Sequence, residues 1–302
     1  MLFRSRNQFV WVPVNDTSRI YERNTTTGKI KAKLWGFEAT GRTARSNGNI
    51  DTKEEAGVLN NPYNASQDYD RIKYFSGNYN ITGYTKDTFY KEFETEYMNT
   101  IKSIEKYGGF YIGRYETGSI SSNIPIVRRM NQDIGGQNWY TMYTKMKNIS
   151  NNPNIQTSMI WGSLWDETLE WIIGTGDKAR VEVSTNSISW GNYRGASFTY
   201  TDTSGTMTTK NADYGQLVPT GSTERNLANN IYDLAGNAYE LTLERQSNVF
   251  CVCRGGWSQY YGDRDFASKR ETYVTNGLMN RFYSYPENSN STVGFRAYLY
   301  VK

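Results

Sequence analysis

Histidine is absent from all 302 residues, and that absence has the widest consequences. Without it the usual proton shuttle at neutral pH is missing, and so is the usual ligand of zinc, copper and non-haem iron. Any catalysis would have to rest on carboxylates, tyrosines or thiols. Thiols are scarce as well, because Cys251 and Cys253 are the only two cysteines. Two apart in a strand, they point to one face and are too strained for a disulfide, so they read as small buried hydrophobes, with a redox or metal pair as the alternative. No stretch approaches the ~20 apolar residues of a membrane span, so no membrane insertion is expected. Met1 to Val14 starts basic but lacks an apolar core followed by a small-residue cleavage site, so no signal peptide is visible. Basic and acidic residues nearly balance, 34 against 30, and no Lys/Arg run has the density of a nucleic-acid arm. Nucleic acid is therefore not an expected partner.

Rings and turn-formers are plentiful. Hydrophobic residues make up only 37%, yet 25 Tyr, 12 Phe and 8 Trp carry large buriable areas with polar tips. With 27 Gly, many Asn, Ser and Thr, and few long periodic stretches, a loop-rich fold containing β-structure is expected. The length suffices for a sizeable core, and neither an internal repeat nor a linker divides the chain.

Phe9 to Val14 reads as a first strand stopped by Pro13. Residues from about 15 to 85 are polar with scattered aromatics, which predicts a loop-rich insertion with a hairpin around Thr27-Gly28-Lys29. Tyr90, Phe93, Tyr97, Ile101 and Ile104 recur at helical spacing up to Gly108-Gly109, and Phe110 to Thr117 follows as a strand. Trp139, Met142, Tyr143, Met146 and Ile149 form the core stripe of a second helix. Residues 194 to 228 lack periodicity and read as surface loop.

The most informative stretch runs from Asn229 to Leu241. Ile231, Leu234, Ala238 and Leu241 place apolar groups among turn-formers, while Asp233, Asn237 and Glu240 supply oxygens to a tightly folded backbone. Arg254-Gly255-Gly256-Trp257 and Gly294-Phe295-Arg296 follow. The set resembles the C-terminal core of the formylglycine-generating-enzyme (sulfatase-modifying factor) family, which runs N-x-Y-D-M-x-G-N-V-W-E-W, R-G-G-S-W, then G-F-R. The Phe9 to Pro13 opening and the strand around Tyr111 to Glu116 resemble earlier parts of that family. Departures occur where Ile160-Trp161-Gly162 replaces a Leu-Pro-Thr and where Ser189-Trp190-Gly191 lacks a proline. The resemblance spans Phe9 to Val301. It implies one domain, 1-302, of α+β class: the C-type-lectin-like fold of the sulfatase-modifying-factor type, with small antiparallel sheets, two or three helices and much irregular loop.

The resemblance also bears on chemistry. The family's enzyme binds copper with a cysteine pair after R-G-G-S-x, but residues 256 to 265 hold no cysteine, and its iron-dependent relatives need a histidine triad. Neither copper nor iron is expected, and a non-catalytic protein is. The family places calcium beside the G-N-x-x-E turn, which makes Asn237 and Glu240 candidate calcium ligands. The alternative is that Asn237 pins the turn while Glu240 pairs with Arg254 or Arg296.

Between Trp257 and Gly294 the composition is that of a binding surface, with tyrosines as rigid amphipathic anchors and polar residues as adaptable hydrogen bonders. Its candidate ligand contacts are Trp257, Tyr260, Tyr261, Asp263, Arg264 and Asp265, then Tyr273, Asn280, Arg281, Tyr283 and Tyr285. The segment resembles the variable region of ligand-binding proteins diversified by retroelements, as in phage tail tropism determinants. An ordinary polar surface loop is the plainer alternative. The expectation is a protein of a virion tail or bacterial surface that binds a protein or glycan receptor, with homo-oligomers open to it. The rivals are an oxidoreductase with relocated ligands and a structural virion component.

Overall fold

A computed structural model describes residues 7–23, 25–26, 30–44, 86–119, 125–130, 139–245, 251–272 and 293–302. One sheet is built from β1 (Phe9–Pro13), β6 (Gly109–Gly113), β18 (Ala297–Val301) and β9 (Ile155–Met159), antiparallel in the order β1-β6-β18-β9. Strands from both ends of the sequence thus flank β6. Helix α1 (Lys86–Tyr107) packs across this sheet, and its Tyr97, Ile101 and Ile104 are fully buried, one turn apart on a single stripe. The helix stops as expected at Gly108, whose N–H bonds the Ile104 carbonyl at 2.8 Å.

The second sheet has the order β16-β15-β14-β17, from β16 (Arg270–Thr272), β15 (Cys251–Arg254), β14 (Tyr239–Arg245) and β17 (Val293–Phe295). Its β14–β17 pair is parallel and the other two are antiparallel. Between the sheets lies α3 (Gly162–Thr175), which buries Leu164, Trp165, Leu169 and Ile172. Helix α2 (Trp139–Met146) buries Met142, Tyr143 and Met146 as its stripe predicts, and α4 (Arg180–Ser184) is a single short turn. Trp161, Trp165, Tyr193, Phe295 and Tyr298 belong to one continuous core cluster. The architecture is α+β with small, mostly antiparallel sheets. The described residues hold four α-helices where two or three are expected, and the short α4 makes the difference.

Two stretches carry more order than their sequences predict. Within the expected insertion of 15–85, residues 16–44 form a 3-10 turn (Thr17–Arg19) and two hairpins, β2 (Tyr21–Arg23) with β3 (Ile30–Ala32) and β4 (Trp35–Phe37) with β5 (Arg42–Ala44). Ile20, Ile30, Ala32 and Leu34 are buried there. The first hairpin joins Arg23 to Ile30 around the expected turn, whose Thr27-Gly28-Lys29 lies outside the described residues, as do 45–85. Strands of three residues offer one or two inward side chains each, too few to show alternation. Residues 194–228 likewise contain a hairpin, β10 (Phe198–Thr201) with β11 (Met207–Lys210). Cys253 is buried in β15, as a small apolar residue would be; the Cys251 side chain is outside the described set. Among the described residues no helix is long and apolar enough to cross a membrane.

Candidate functional site

The segment 229–237 is a chain of left-handed turns. Asn229, Asn230, Asp233 and Asn237 all have positive φ, between 45° and 66°, a conformation that Asn and Asp tolerate because their side chains bond locally. Gly236 admits no side chain, since a Cβ there would stand 2.2 Å from the Asn192 carbonyl oxygen. Its N–H bonds Gly255 O at 2.7 Å, and the Asn237 N–H bonds Asn192 O at 2.9 Å. Asp233 turns inward: Oδ2 accepts from Thr220 Oγ1 and the Gly221 N–H, and Oδ1 accepts from Asn226 Nδ2.

Asn237 and Glu240 are spent on the protein itself. The Asn237 Oδ1 accepts from Asn192 Nδ2 at 2.8 Å and from the Val218 N–H at 3.0 Å, while its Nδ2 donates to Glu116. Both Glu240 oxygens face the Arg296 guanidinium, with Nε to Oε2 at 2.6 Å and Nη2 to Oε1 as the second arm. Arg296 also donates to Gly113 O at 2.9 Å and Tyr232 O at 3.0 Å, and both members of the pair are fully buried. Burial pushes Glu240 up to about 7, with Arg296 working against the rise. Burial raises Glu116 well above the carboxylate range, and the negative charges of Asp233 and Glu240 add to it. A calcium ion wants uncommitted oxygens. These residues do not fit it, because the Arg296 guanidinium takes both Glu240 oxygens and the Asn237 oxygen is taken by Asn192 and Val218. Of the two readings left open by the sequence, the geometry shows the second: Glu240 pairs with Arg296, and Asn237 pins the turn. Among the described residues no group of three or more His, Cys, Asp or Glu could hold a metal ion.

Arg254 pairs elsewhere. Its guanidinium bonds Asp166 Oδ1 and, at 2.9 Å, Glu244 Oε2, while Arg270 bonds the opposite oxygens of the same two acids. All four side chains are buried, and the ring of alternating charges ties α3 to β14, β15 and β16. The Trp35 N–H and carbonyl join it from the N-terminal hairpins. Sequence reasoning misses this quartet, since no motif links its members.

After Arg254 the chain turns out of the sheet at Gly255 and Gly256. Gly256 has φ +86°, and a Cβ on it would meet the Asp265 carbonyl at 2.0 Å. The next residues form a pinned loop: Ser258 N–H bonds Asn237 O, Arg194 N–H bonds Tyr260 O, and Ser187 N–H bonds Gly262 O. Asp265, expected on the binding surface, is instead 3% exposed and accepts from the Trp257 N–H at 2.7 Å. It braces the loop from inside, so its place among the ligand contacts is corrected. Tyr260 and Tyr261 are 47% and 45% exposed, and Asp263 and Arg264 are exposed beside them. Trp257 is half-buried, edge-on to Tyr260 at 5.4 Å. Tyr273, Asn280, Arg281, Tyr283 and Tyr285 lie outside the described residues.

The 194–228 stretch adds to this face in a way the sequence gives no sign of. The Arg194 guanidinium lies 5.6 Å from the Tyr261 ring centroid, and Gly215 packs so close to Gln259 that a Cβ would come within 2.3 Å of its Cα. Tyr214, next to that contact, is 70% exposed.

A third polar cluster lies under α1. Glu96 Oε2 accepts from Tyr143 Oη at 3.0 Å, and Oε1 accepts from Tyr298 Oη at 3.2 Å. Burial pushes Glu96 up to about 7 from 4.5. Between those values the folded state keeps a proton that the unfolded state has released. This stabilisation is complete below the unfolded value and is lost as pH rises through the folded one. Glu96→Gln should therefore gain on the wild type between about pH 5 and about pH 8, by up to about 1.4 kcal/mol per unit, in paired melting curves. A gap that does not change with pH would remove the explanation.

No family model and no curated protein matches the chain.

Proposed function

We propose that this chain is a non-catalytic binding protein, built on the C-type-lectin-like fold of the sulfatase-modifying-factor type and displayed on a phage tail or bacterial surface. It holds a protein or glycan receptor on the face made by Trp257, Tyr260, Tyr261, Asp263 and Arg264, joined by Arg194 and Tyr214. A variable protein of a diversity-generating retroelement is the narrower form of this reading. The observation that carries it is the pair Tyr260 and Tyr261, adjacent and about half exposed, on a loop whose backbone is bonded to residues 187, 194 and 237. Aromatic anchors on a backbone already fixed lose little freedom on binding, and this is where affinity comes from. The strand order, with β6 between the first and last strands, supports the fold assignment.

The test is the double substitution Tyr260→Ala/Tyr261→Ala, read on a glycan array and on intact bacterial cells. Stability should stay within about 0.5 kcal/mol, because both rings are exposed. Affinity should fall by about 2 kcal/mol or more, roughly thirtyfold. Equal binding by the variant and the wild type would reject this face. Stoichiometric copper or iron that is lost on Cys251→Ser or Cys253→Ser would instead establish an oxidoreductase with relocated ligands. A stable oligomer that buries residues 257–264 would make the chain a structural component.

A further inference from the structure

A cleft of about 590 Å³ opens between α1, the end of α2, β9 and β18, in the size range of small-molecule sites. Helix α1 contributes Glu92, Thr95, Glu96 and Asn99, which its periodicity sets on one face. Lys147, Asn148, Gln156 and Tyr300 complete the wall. None of these residues belongs to the 257–264 face, so this inference and the proposed function stand or fall separately.

The charges of the cleft are internally settled. Lys147 Nζ pairs with Glu92, lies 3.4 Å from Glu96 Oε2, and donates to Tyr143 Oη at 2.7 Å. Glu96 is further occupied by the hydroxyls of Tyr143 and Tyr298. An anionic ligand would need a cation without a counter-charge, and a cationic ligand would need a free carboxylate. Neither is offered. A purely apolar ligand would leave these polar side chains unpaired; the wall's apolar area comes from their carbon stems and from Tyr300, the single aromatic among the described lining residues.

What remains is a set of hydrogen-bonding side chains: the Asn99 amide and the Thr95 hydroxyl, which both donate and accept, the Asn148 amide with one N–H and its oxygen, and the Gln156 and Glu92 oxygens as acceptors. Two of the amides are held in position. Gln156 Nε2 donates to Lys147 O at 3.2 Å and Thr157 O at 3.0 Å, and Asn148 Nδ2 donates to Thr144 O at 3.2 Å. A neutral ligand whose every substituent is itself donor and acceptor matches this wall, and such ligands are saccharides. We infer that the cleft under α1 is a saccharide-binding site separate from the 257–264 face.

The experiment is saturation-transfer NMR on the full chain with D-glucose, D-galactose, D-mannose and N-acetyl-D-glucosamine, with glycine and inorganic phosphate as zwitterionic and anionic counterparts. At least one sugar should bind with a millimolar Kd, and glycine and phosphate should not. Asn99→Ala, on the exposed side of α1, should weaken the sugar by about fivefold to tenfold, the worth of one or two net hydrogen bonds. Glu92→Gln, which removes half of the charge pair without changing its size, should weaken it comparably. Absence of transfer from all four sugars, binding that both cleft variants retain in full, or preference for phosphate or glycine would each overturn the assignment.

Discussion

Replacing Arg296 by methionine should destabilise the protein by about 3–5 kcal/mol, the cost of removing one member of a buried, hydrogen-bonded ion pair. Arg296 and Glu240 are both fully enclosed, so the carboxylate left behind has no water to turn to. The carbonyls of Gly113 and Tyr232 lose a donor at the same time and add to the loss. Denaturant titration provides the number, and a second substitution tests its cause. Adding Glu240→Gln to Arg296→Met should restore part of the loss, because the stranded charge is gone. The variant should also be more acid-tolerant than the parent. With its cation removed, Glu240 is raised further from the usual range, so the penalty shrinks below the unfolded carboxylate value and grows as pH rises. A loss that is independent of pH and unaffected by Glu240→Gln would show that Arg296 acts by packing alone.

The second large effect is expected at Asp166. Its carboxylate receives Arg254, Arg270 and the Trp35 N–H, so Asp166→Ala leaves two buried guanidiniums to share Glu244 alone. The side chains of Arg254 and Arg270 are 0% and 4% exposed, which leaves solvent no means of compensating. The destabilisation should reach or exceed the upper end of about 3–5 kcal/mol, with loss of near-ultraviolet circular dichroism before far-ultraviolet signal if packing is what fails. Asp166→Asn, which keeps shape but halves the electrostatics, should fall between variant and parent. A loss below about 1 kcal/mol, the scale of a surface pair, would mean that the quartet does not carry the junction.

These two networks differ in how much of them the sequence discloses. Glu240 and Arg296 are foreseeable, since each sits in a recognisable motif and an acid three residues past a pinned asparagine needs a partner. The quartet is not: Asp166 and Arg270 are 104 positions apart and are joined only by the way α3 crosses the sheet. The same contrast holds for secondary structure. Helix α1 is legible because several inward residues repeat at one period, and β1 and β6 because they are unbroken runs of β-forming residues, whereas β2 to β5 are three residues each, with at most two buried side chains, and vanish into a polar background. On the candidate binding face, Tyr260 and Tyr261 fall where composition suggests, while Asp265 does not. Whether an aspartate faces out or in depends on the turn at Gly256, which folds the chain back so that Asp265 meets the Trp257 N–H. Arg194 and Tyr214 reach the face through tertiary contact and leave no local trace.

Strand β18 lies inside its sheet, bonded to β6 on one side and β9 on the other, and Arg296 immediately precedes it. During synthesis on the ribosome, residues 9–13 and 109–113 can pair early, but the place between β6 and β9 stays empty until residues 297–301 emerge. Until then the core lacks its closing strand and Glu240 its guanidinium, so chains cut before Arg296 should fail to fold and be left for quality control to clear.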